Sequence, residues 1–347
     1  MKIVVNDIAA SEGGALSVLL DFYEAVKQYD LENEYIFLLS KKHFEETERI
    51  KILLLPEVKQ SHLKKIIFDF ITGKKLIKSL NPDIVFSLQN IITFGLKKTQ
   101  IVYVHQSLPY QSLKKFSFFK TSERKYAIVQ YIIGSIINCS VRKAEKVIVQ
   151  TEWMKNALID KTKKASEKIY VIPPTVKGDT SKKVAVFDKH RFFYPTSDYV
   201  YKNNDLLMKV AEELMIETTE DFVVEMTLPE QESGVECVKY VGRLSREEVI
   251  NKYRESTLVF PSYIETYGMP LAEARTTGTI ILAARCNYAY EVLEGYENAY
   301  FFDYDKPQEL AALMKAVLQG KIVKKEIVET FWNDETWKDV IKVITEE

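Results

Sequence analysis

The sequence has few cysteines, no long apolar run and almost no net charge. Its three cysteines, Cys139, Cys237 and Cys286, are scattered without metal-ligand spacing, which argues against a disulfide framework and favours a reducing cytosol. The longest uncharged stretch, 126–141, is too short to span a bilayer, and no signal peptide precedes the first apolar run. We therefore expect a cytoplasmic protein that does not cross a membrane.

The formal net charge of −1 conceals an uneven distribution. Residues 1–172 contain 27 Lys+Arg against 18 Asp+Glu, whereas residues 173–347 contain 21 against 31. A basic half joined to an acidic half indicates that the N-terminal half meets an anionic surface or substrate. The sequence has no recognisable motif for reading nucleic acid, so we expect no nucleic-acid partner.

Apolar runs alternate with helical patterns along the whole chain of 347 residues, which exceeds what one compact core usually serves. Such runs are typical of parallel strands that are covered on both faces. The pattern breaks at a stretch rich in proline and lysine. We therefore predict an α/β protein with an N-terminal domain at 1–172, a linker at 173–183 and a C-terminal domain at 184–330. A last helix, 331–347, would belong to its own domain or return to the first.

The segment 257–278 carries the most specific chemistry. A short apolar strand leads to a loop with Glu265, and Gly268 then opens a helix that holds Pro270 and Glu273. The amides at a helix start favour phosphate, and a glycine lets the phosphate approach the backbone closely. The carboxylates would accept hydrogen bonds from hydroxyls elsewhere on the same ligand, as in a nucleotide-sugar. A helix with acidic residues near its N-terminus is an equally good explanation of the spacing alone.

This segment resembles the Glu-x7-Glu signature of the retaining glycosyltransferases of family 4, which have the GT-B fold. The residues that fall in register with that signature are Pro261, Ser262, Glu265, Gly268, Pro270, Glu273, Ala274 and Gly278.

The resemblance implies two doubly wound parallel-sheet domains that face each other across a cleft. It makes 1–172 the acceptor-side domain and 184–330 the nucleotide-sugar-binding domain. It implies that Glu265 binds the hydroxyls of the donor sugar and that Glu273 binds those of the ribose. The diphosphate would bind at the amides around Gly268 and Met269, with Tyr267 also at the donor. It further implies a metal-independent enzyme without a cofactor, whose substrate is a UDP- or GDP-linked sugar.

Two further candidates lie in the N-terminal half. Gly13 and Gly14 stand between the first strand and a helix predicted to begin near Ala15, where the resemblance places a loop that contacts donor and acceptor. His105 is predicted to end the strand 101–105, and the resemblance implies that it donates or accepts a hydrogen bond at the donor sugar. Without the resemblance, a structural role is the commoner one for both sites. The glycine pair does not form the GxGxxG pattern of nicotinamide-binding proteins.

Lys202 lies on a loop that enters a helix in the acidic half, where a cation can offset the charge of a leaving diphosphate. In the family, an arginine a few residues earlier assists this lysine, but residues 194–197 here include no arginine. Asn203 or Ser197 could compensate by hydrogen bonding. Arg243 occupies the place where the family holds the nucleotide base.

Two stretches, 59–78 and 112–125, combine lysines with aromatic and aliphatic residues. Such a composition suits docking on an anionic leaflet, so the protein would be peripheral on the inner face of the cell membrane. The alternative is a solvated helix whose apolar side packs in the core.

Asp303 and Asp305 match the DxD pattern by which GT-A glycosyltransferases hold a metal ion. Because Asp305 precedes a helix predicted to start near Pro307, we interpret it as an N-cap and expect no metal site.

The sequence thus predicts a retaining, metal-independent glycosyltransferase that acts on a glycan or polyprenyl-diphosphate-linked acceptor in bacterial surface polysaccharide synthesis. Glu265, His105 and Lys202 are the predicted catalytic residues. A GT-B nucleotide-sugar epimerase and a non-catalytic partner of a glycosyltransferase complex remain as alternatives.

Overall fold

The computed structural model describes residues 1–11, 13–176, 186–326 and 336–346. It divides into two compact units: unit 1 is Met1–Thr175 with Glu335–Glu347, and unit 2 is Val176–Asp334. Most of the predicted linker, 177–183, lies outside the described residues, as do residues 331–335 of the predicted last segment. Among the described residues, no helix is long and apolar enough to span a membrane.

Unit 1 is built on a parallel sheet that has seven strands in its described part, in the order β3-β2-β1-β4-β5-β6-β7. The strands are β1 (Lys2–Asn6), β2 (Glu34–Leu39), β3 (Ile50–Leu54), β4 (Ile84–Ser87), β5 (Thr99–Tyr103), β6 (Lys146–Val149) and β7 (Ile169–Val171). The central residues of β1, β4, β5 and β6 are buried on both faces, which is why the sequence shows apolar runs there rather than alternation.

The helices of unit 1 cover the two faces of this sheet. They are α1 (Gly13–Tyr29), α2 (Pro56–Lys59), α3 (His62–Ile67), α4 (Gly73–Ser79), α5 (Arg124–Ala127), α6 (Gly134–Lys143), α7 (Glu152–Thr162) and α13 (Thr336–Thr345), with π-helical turns at Phe68–Thr72 and Ile128–Ile133. One face packs against α1 and α13, where Trp337 of α13 lies 5.5 Å from Phe22 of α1 between ring centroids. Residues of α3–α4 and α6–α7 pack on the other face.

Unit 2 has a second parallel sheet, with the order β10-β9-β8-β11-β12-β13 over the described residues. Its strands are β8 (Arg191–Tyr194), β9 (Val223–Met226), β10 (Val238–Tyr240), β11 (Thr257–Phe260), β12 (Ile281–Ala284) and β13 (Ala299–Phe302). Its helices are α8 (Asn204–Glu217), α9 (Arg246–Glu255), α10 (Met269–Thr276), α11 (Asn287–Val292) and α12 (Pro307–Leu318). Two doubly wound parallel α/β domains are therefore present, which confirms this part of the predicted fold.

The strand order reverses once in each sheet. In unit 1 the reversal lies between the neighbouring strands β1 and β4, and in unit 2 it lies between β8 and β11. The loops that follow two such strands leave in opposite directions and open a crevice at the carboxyl edge of the sheet, where α/β proteins bind their ligands. The loops after β8 and β11 carry Lys202 and Glu265.

Candidate active site

The loop after β11 turns into α10 through Gly268, whose backbone is left-handed with φ 87° and ψ 57°. A Cβ atom at this position would lie 3.0 Å from two ring carbons of Tyr288, so both the conformation and the space require glycine. Pro270 occupies the first turn of the helix, where a missing N–H costs nothing. The amides of Leu271 and Ala272 donate to the carbonyl of Gly268 at 2.9 and 3.4 Å. The amides of Gly268 and Met269 are therefore the ones at this helix start that an anion could bind.

Lys202 and Glu265 form an ion pair at the switch point of unit 2. Lys202 Nζ lies 2.5 Å from Glu265 Oε1, and the side chains are 15% and 18% exposed. Ser262 donates a hydrogen bond of 2.7 Å to the same carboxylate oxygen. The hydroxyl of Tyr194 donates to the carbonyl of Lys202 at 2.7 Å and fixes the backbone that carries the lysine. The structure thus brings two predicted catalytic residues into direct contact.

Asn203 has a left-handed backbone, with φ 58° and ψ 37°, and ends the short turn that carries Lys202. Its side-chain amide donates to the carbonyl of Tyr304 at 2.8 Å, which ties the loop after β8 to the loop after β13. Its amide nitrogen is therefore occupied in holding the loop, and its predicted role toward the donor remains a prediction.

The loop at residues 194–197 is held by uncharged groups. The amide of Thr196 donates to the Thr227 hydroxyl at 2.7 Å, and the Thr196 hydroxyl donates to Asn204 Oδ1 at 2.8 Å. Asn204 in turn donates to the carbonyl of Ser197 at 3.0 Å. The loop from which the expected arginine is missing is therefore held by hydrogen bonds between uncharged groups.

Glu273 lies in the second turn of α10 and pairs with Arg246, whose guanidinium approaches Glu273 Oε1 to 3.3 Å. Burial raises the pKa of Glu273, and the charge of Arg246 partly opposes that rise. The hydroxyl of Tyr253 is buried without a hydrogen-bond partner among the described residues. Burial, with the charge of Glu273 as a smaller cause, raises the pKa of this tyrosine well above its usual value.

The other predicted donor-binding residues of unit 2 lie at the same edge of the sheet. Tyr267 is buried beside Gly268, and burial raises its pKa to about 12. Met269 is the first residue of α10 and is half-buried. Arg243 is exposed on the loop between β10 and α9, two strands from β8 in the sheet. Their contacts with a ligand stay predictions.

In unit 1 the helix α1 begins at Gly13 rather than near Ala15, so the glycine pair forms its first turn. Gly14 is exposed, and a Cβ atom there would meet no atom within 4 Å. The conformation of this turn therefore does not require glycine at 14, and a substrate contact at either residue stays a prediction.

His105 lies beyond the end of β5, because its backbone N–H donates to Asn90 Oδ1 at 2.7 Å instead of continuing the strand. Asn90 Nδ2 lies 3.2 Å from His105 Nε2, which makes Nε2 the acceptor and places the ring proton on Nδ1. Burial lowers the pKa of His105 to about 4, so the ring is neutral at neutral pH. A neutral ring suits hydrogen bonding to a ligand better than proton transfer.

Asp303 pairs with Arg285 at 2.6 Å and also with Lys306. Lys306 is the N-cap of α12, and no side chain caps that helix. The predicted N-cap role of Asp305 is therefore wrong, because the helix begins at Pro307, one residue later than a cap at 305 requires. Within the described ranges, no group of three or more His, Cys, Asp or Glu residues could hold a metal ion.

Sequence reasoning missed the contribution of Tyr288 on α11. Its hydroxyl donates to the carbonyl of Ser262 at 2.5 Å, and its ring lies against Gly268. It therefore shapes the loop that holds Glu265. The only signal in the sequence was an aromatic residue shortly after an apolar run.

Residues 188–330 match the protein family described as glycosyl transferases group 1. This part of the chain is thus similar to a group 1 glycosyltransferase domain. The matched segment contains the loops after β8 and β11 and therefore the pair of Lys202 and Glu265. A sequence comparison with curated proteins found no match.

Solved structures with the same fold extend over both units. The glycosyltransferase WaaG, involved in lipopolysaccharide biosynthesis, superposes with a TM-score of 0.73 at 13% identity, covering 100% of both chains. Sucrose-phosphate synthase from Thermosynechococcus elongatus gives 0.68 at 13% identity, over 99% of this chain and 94% of its own. HepE from Anabaena, in complex with UDP-glucose, gives 0.63 at 15% identity, over 92% and 90%. At these identities the likeness establishes the GT-B fold.

Proposed function

We propose that the protein is a retaining glycosyltransferase that moves a sugar from a nucleotide-sugar to a glycan or lipid-linked acceptor. The observation that carries this proposal is the contact of Lys202 with Glu265 at the switch point of a group 1 glycosyltransferase domain. A cation, a carboxylate and a glycine-started helix converge there. These are the groups that a sugar diphosphate needs.

Each part of the donor has a suitable group in unit 2. The diphosphate binds at the amides around Gly268 and Met269, beside the ammonium of Lys202. Glu265 then accepts hydrogen bonds from the sugar hydroxyls, and Glu273 accepts those from the ribose. Because the diphosphate competes for Lys202, donor binding replaces the resting ion pair with two contacts to the ligand.

The reaction proceeds on one face of the sugar. The bond between the anomeric carbon and the diphosphate oxygen breaks, and the acceptor oxygen bonds to that carbon on the same side. The acceptor proton passes to the departing diphosphate, so the protein supplies no base. Its contributions are positioning and the charge of Lys202 where negative charge develops. No metal takes part.

Relatives of known activity guide the choice of substrates. HepE binds UDP-glucose, which favours a UDP-linked sugar among the donors to be tried first. WaaG acts in lipopolysaccharide biosynthesis, which favours a bacterial surface polysaccharide as the product. The basic N-terminal half suits an acceptor that carries a polyprenyl diphosphate at the inner face of the cell membrane.

The proposal is tested with a panel of nucleotide-sugars in thermal-shift and transfer assays, with and without magnesium. We expect one diphosphate series to stabilise the protein without metal. Glu265→Ala should then lower transfer by about two to three orders of magnitude, as the loss of one preorganised group at the reacting centre does. The matched control is Glu213→Ala, which removes the carboxylate of an exposed pair with Lys209 at 3.7 Å in the same unit.

Other outcomes would separate the remaining functions. Release of an altered donor without acceptor would indicate an epimerase. Stabilisation by no nucleotide at all would favour a non-catalytic partner, for which the uncharged loop 194–197 is the supporting observation. Equal activity of the Glu265→Ala and Glu213→Ala variants would remove Glu265 from the mechanism.

A further inference from the structure

Two segments of unit 1 present large apolar side chains to solvent. They are 61–80, which contains α3 and α4, and 111–132, which contains α5; together we call them the basic apolar surface. They contain eleven of the 22 large apolar side chains that are exposed among the described residues, although they make up a small part of the chain. Phe119 is 94% exposed, Leu63 66% and Ile132 52%. Such a concentration marks an interaction site rather than scattered surface residues.

Both segments are connected to helices that cover the same face of the sheet. Val4 of β1 lies in one core cluster with Phe68 and with Ile77 of α4. Val102 of β5 lies in another with residues of α6, which continues from the second segment. Val4 is in register with Val85, and Ser87 is in register with Val102. Because Val85 and Ser87 are two residues apart on β4, all four side chains point to one face. The two segments are therefore parts of one layer.

The loop between β4 and β5 joins the two parts of this layer. Phe94 stacks on Phe70 with 4.4 Å between ring centroids, and its N–H donates to the carbonyl of Asp69 at 2.9 Å. Two residues earlier, the amide of Ile92 donates to the hydroxyl of Ser140 on α6 at 3.3 Å. The loop thus makes one continuous structure of both segments.

The acidic and the basic residues of the two segments differ in their exposure to solvent. The two carboxylates of the segments, Asp69 and Glu123, are 3% and 8% exposed. Lys65 pairs with Asp69 at 2.5 Å, and Lys114 pairs with Glu123 at 3.3 Å, so both negative charges are turned inward and paired. The exposed charged residues of the segments are all basic: Lys64, Lys75, Lys78, Lys115, Lys120, Arg124 and Lys125.

We propose that the basic apolar surface docks the protein on an anionic lipid leaflet. Phe119, Leu63 and Ile132 would enter the boundary between head groups and acyl chains, while the exposed lysines contact lipid phosphates. A second copy that docks by the same surface is a poor occupant, because it would bring two arrays of positive charge together. The inference deepens the proposed function, on which it rests for its purpose, since a lipid-linked acceptor lies in the same leaflet.

The test is co-sedimentation of the full chain with vesicles of phosphatidylcholine alone or of equal parts phosphatidylcholine and phosphatidylglycerol. We expect binding to the anionic vesicles only, weakened by salt. The variant Lys75→Gln/Lys78→Gln/Lys115→Gln should bind on the order of a hundredfold more weakly, given the usual contribution of a basic residue near such a surface. Its control, Lys209→Gln/Lys239→Gln/Lys321→Gln, removes three exposed lysines from unit 2 and should bind as the unmodified protein does.

A second pair of variants tests the apolar part. Leu63→Ser/Phe119→Ser/Ile132→Ser should lose at least tenfold in binding. Its control, Ile216→Ser/Val323→Ser, removes side chains that are 80% and 66% exposed in unit 2 and should lose none. Thermal melting of every variant shows whether it is folded.

Absence of binding to anionic vesicles, or equal losses in the variants and their controls, would overturn the proposal. A dimer that the serine variant abolishes, without vesicle binding, would likewise overturn it in favour of self-association. Nucleotide-sugar stabilisation is measured on the same samples. A protein that binds vesicles but no nucleotide contradicts the proposed function alone, and one that binds nucleotide but no vesicles contradicts the docking surface alone.

Discussion

At the scale of single residues, the resting state of the site is an ion pair that substrate must open. Lys202 and Glu265 are both largely buried, and each supplies the charge that the other needs. Leaving either charge unpaired in such surroundings is costly, so the contact holds both groups in place before the donor arrives. In the proposed function, a diphosphate would replace the carboxylate at the lysine, and sugar hydroxyls would replace the lysine at the carboxylate. The pair would therefore hold both groups in position until the donor displaces it.

Asp7, which follows β1, makes the stability of unit 1 depend on pH. Burial raises its pKa to about 7, with Lys65 and Lys59 opposing the rise. Between the unfolded pKa of about 4 and this value, the folded chain holds a proton that the unfolded chain has released, so stability falls as pH rises. Asp7→Asn keeps the shape and removes the charge. Its free energy of unfolding should exceed that of the unmodified protein by an amount that grows from about pH 4 to pH 8, to at most about 4 kcal/mol. Melting temperatures measured across this pH range should diverge accordingly.

The control for this prediction is Asp160→Asn, which neutralises an exposed carboxylate of α7. Its melting temperature should change with pH in the same way as that of the unmodified protein. If the melting temperature of Asp7→Asn also changed with pH as that of the unmodified protein does, Asp7 would be charged in the folded chain and the assigned effect of burial would be incorrect.

At the scale of elements, the start of α10 depends on one glycine. Gly268→Ala forces a side chain into a left-handed conformation and against the ring of Tyr288, at a cost of about 1–3 kcal/mol. We expect loss of nucleotide-sugar binding in addition, because the proposed function places the donor phosphate against the backbone of this residue. Isothermal titration and thermal melting measure the two effects separately.

Gly295→Ala is the matched control for Gly268→Ala. Gly295 also has a positive φ of 71°, but a Cβ atom there meets nothing within 4 Å. This variant should share the backbone strain and keep the nucleotide site. Equal affinity of both variants for the nucleotide-sugar would mean that the phosphate does not approach Gly268.

The elements themselves were predictable from the sequence to different degrees. Strands such as β11 and β12 could be located because every residue is buried, which leaves a continuous apolar run. Their ends were less certain. The strand predicted to reach His105 stops at Tyr103, because the backbone N–H of His105 donates to the side chain of Asn90 instead of to a neighbouring strand. Side-chain hydrogen bonds of this kind leave no trace in hydropathy.

The candidate site shows the same division. The residues of one continuous segment, from Glu265 to Glu273, could be singled out by their spacing together with the family resemblance, because a loop and a helix start fix their local geometry. The pairing of Glu265 with Lys202, 63 residues away, depends on β8 and β11 being neighbours. Strand order is a property of the whole sheet, so neither this contact nor the role of Tyr288 could be derived from local pattern.

At the scale of the whole molecule, the chain closes unit 1 with its last helix. Val340, Ile341 and Ile344 of α13 lie in the same core as strands from the beginning of the chain. Lys146, at the start of β6, donates to the carbonyl of Val343 at 3.1 Å, near the end of the helix where a cation is favourable. Unit 1 is thus assembled from two stretches of sequence that are separated by all of unit 2.

This arrangement predicts that a mutation near the C-terminus weakens the N-terminal unit. Trp337 is 6% exposed and lies 5.5 Å from Phe22 and 5.9 Å from Tyr103 between ring centroids. Trp337→Ala should therefore destabilise unit 1 by about 3–5 kcal/mol, the usual cost of removing a large buried aromatic side chain. Amide hydrogen exchange should accelerate in the strands of unit 1 and remain unchanged in those of unit 2. Lys342→Ala, on the exposed side of the same helix, should leave exchange unaltered in both. Faster exchange in unit 2 alone would contradict the placement of α13, because the contacts of Trp337 named here all lie in unit 1.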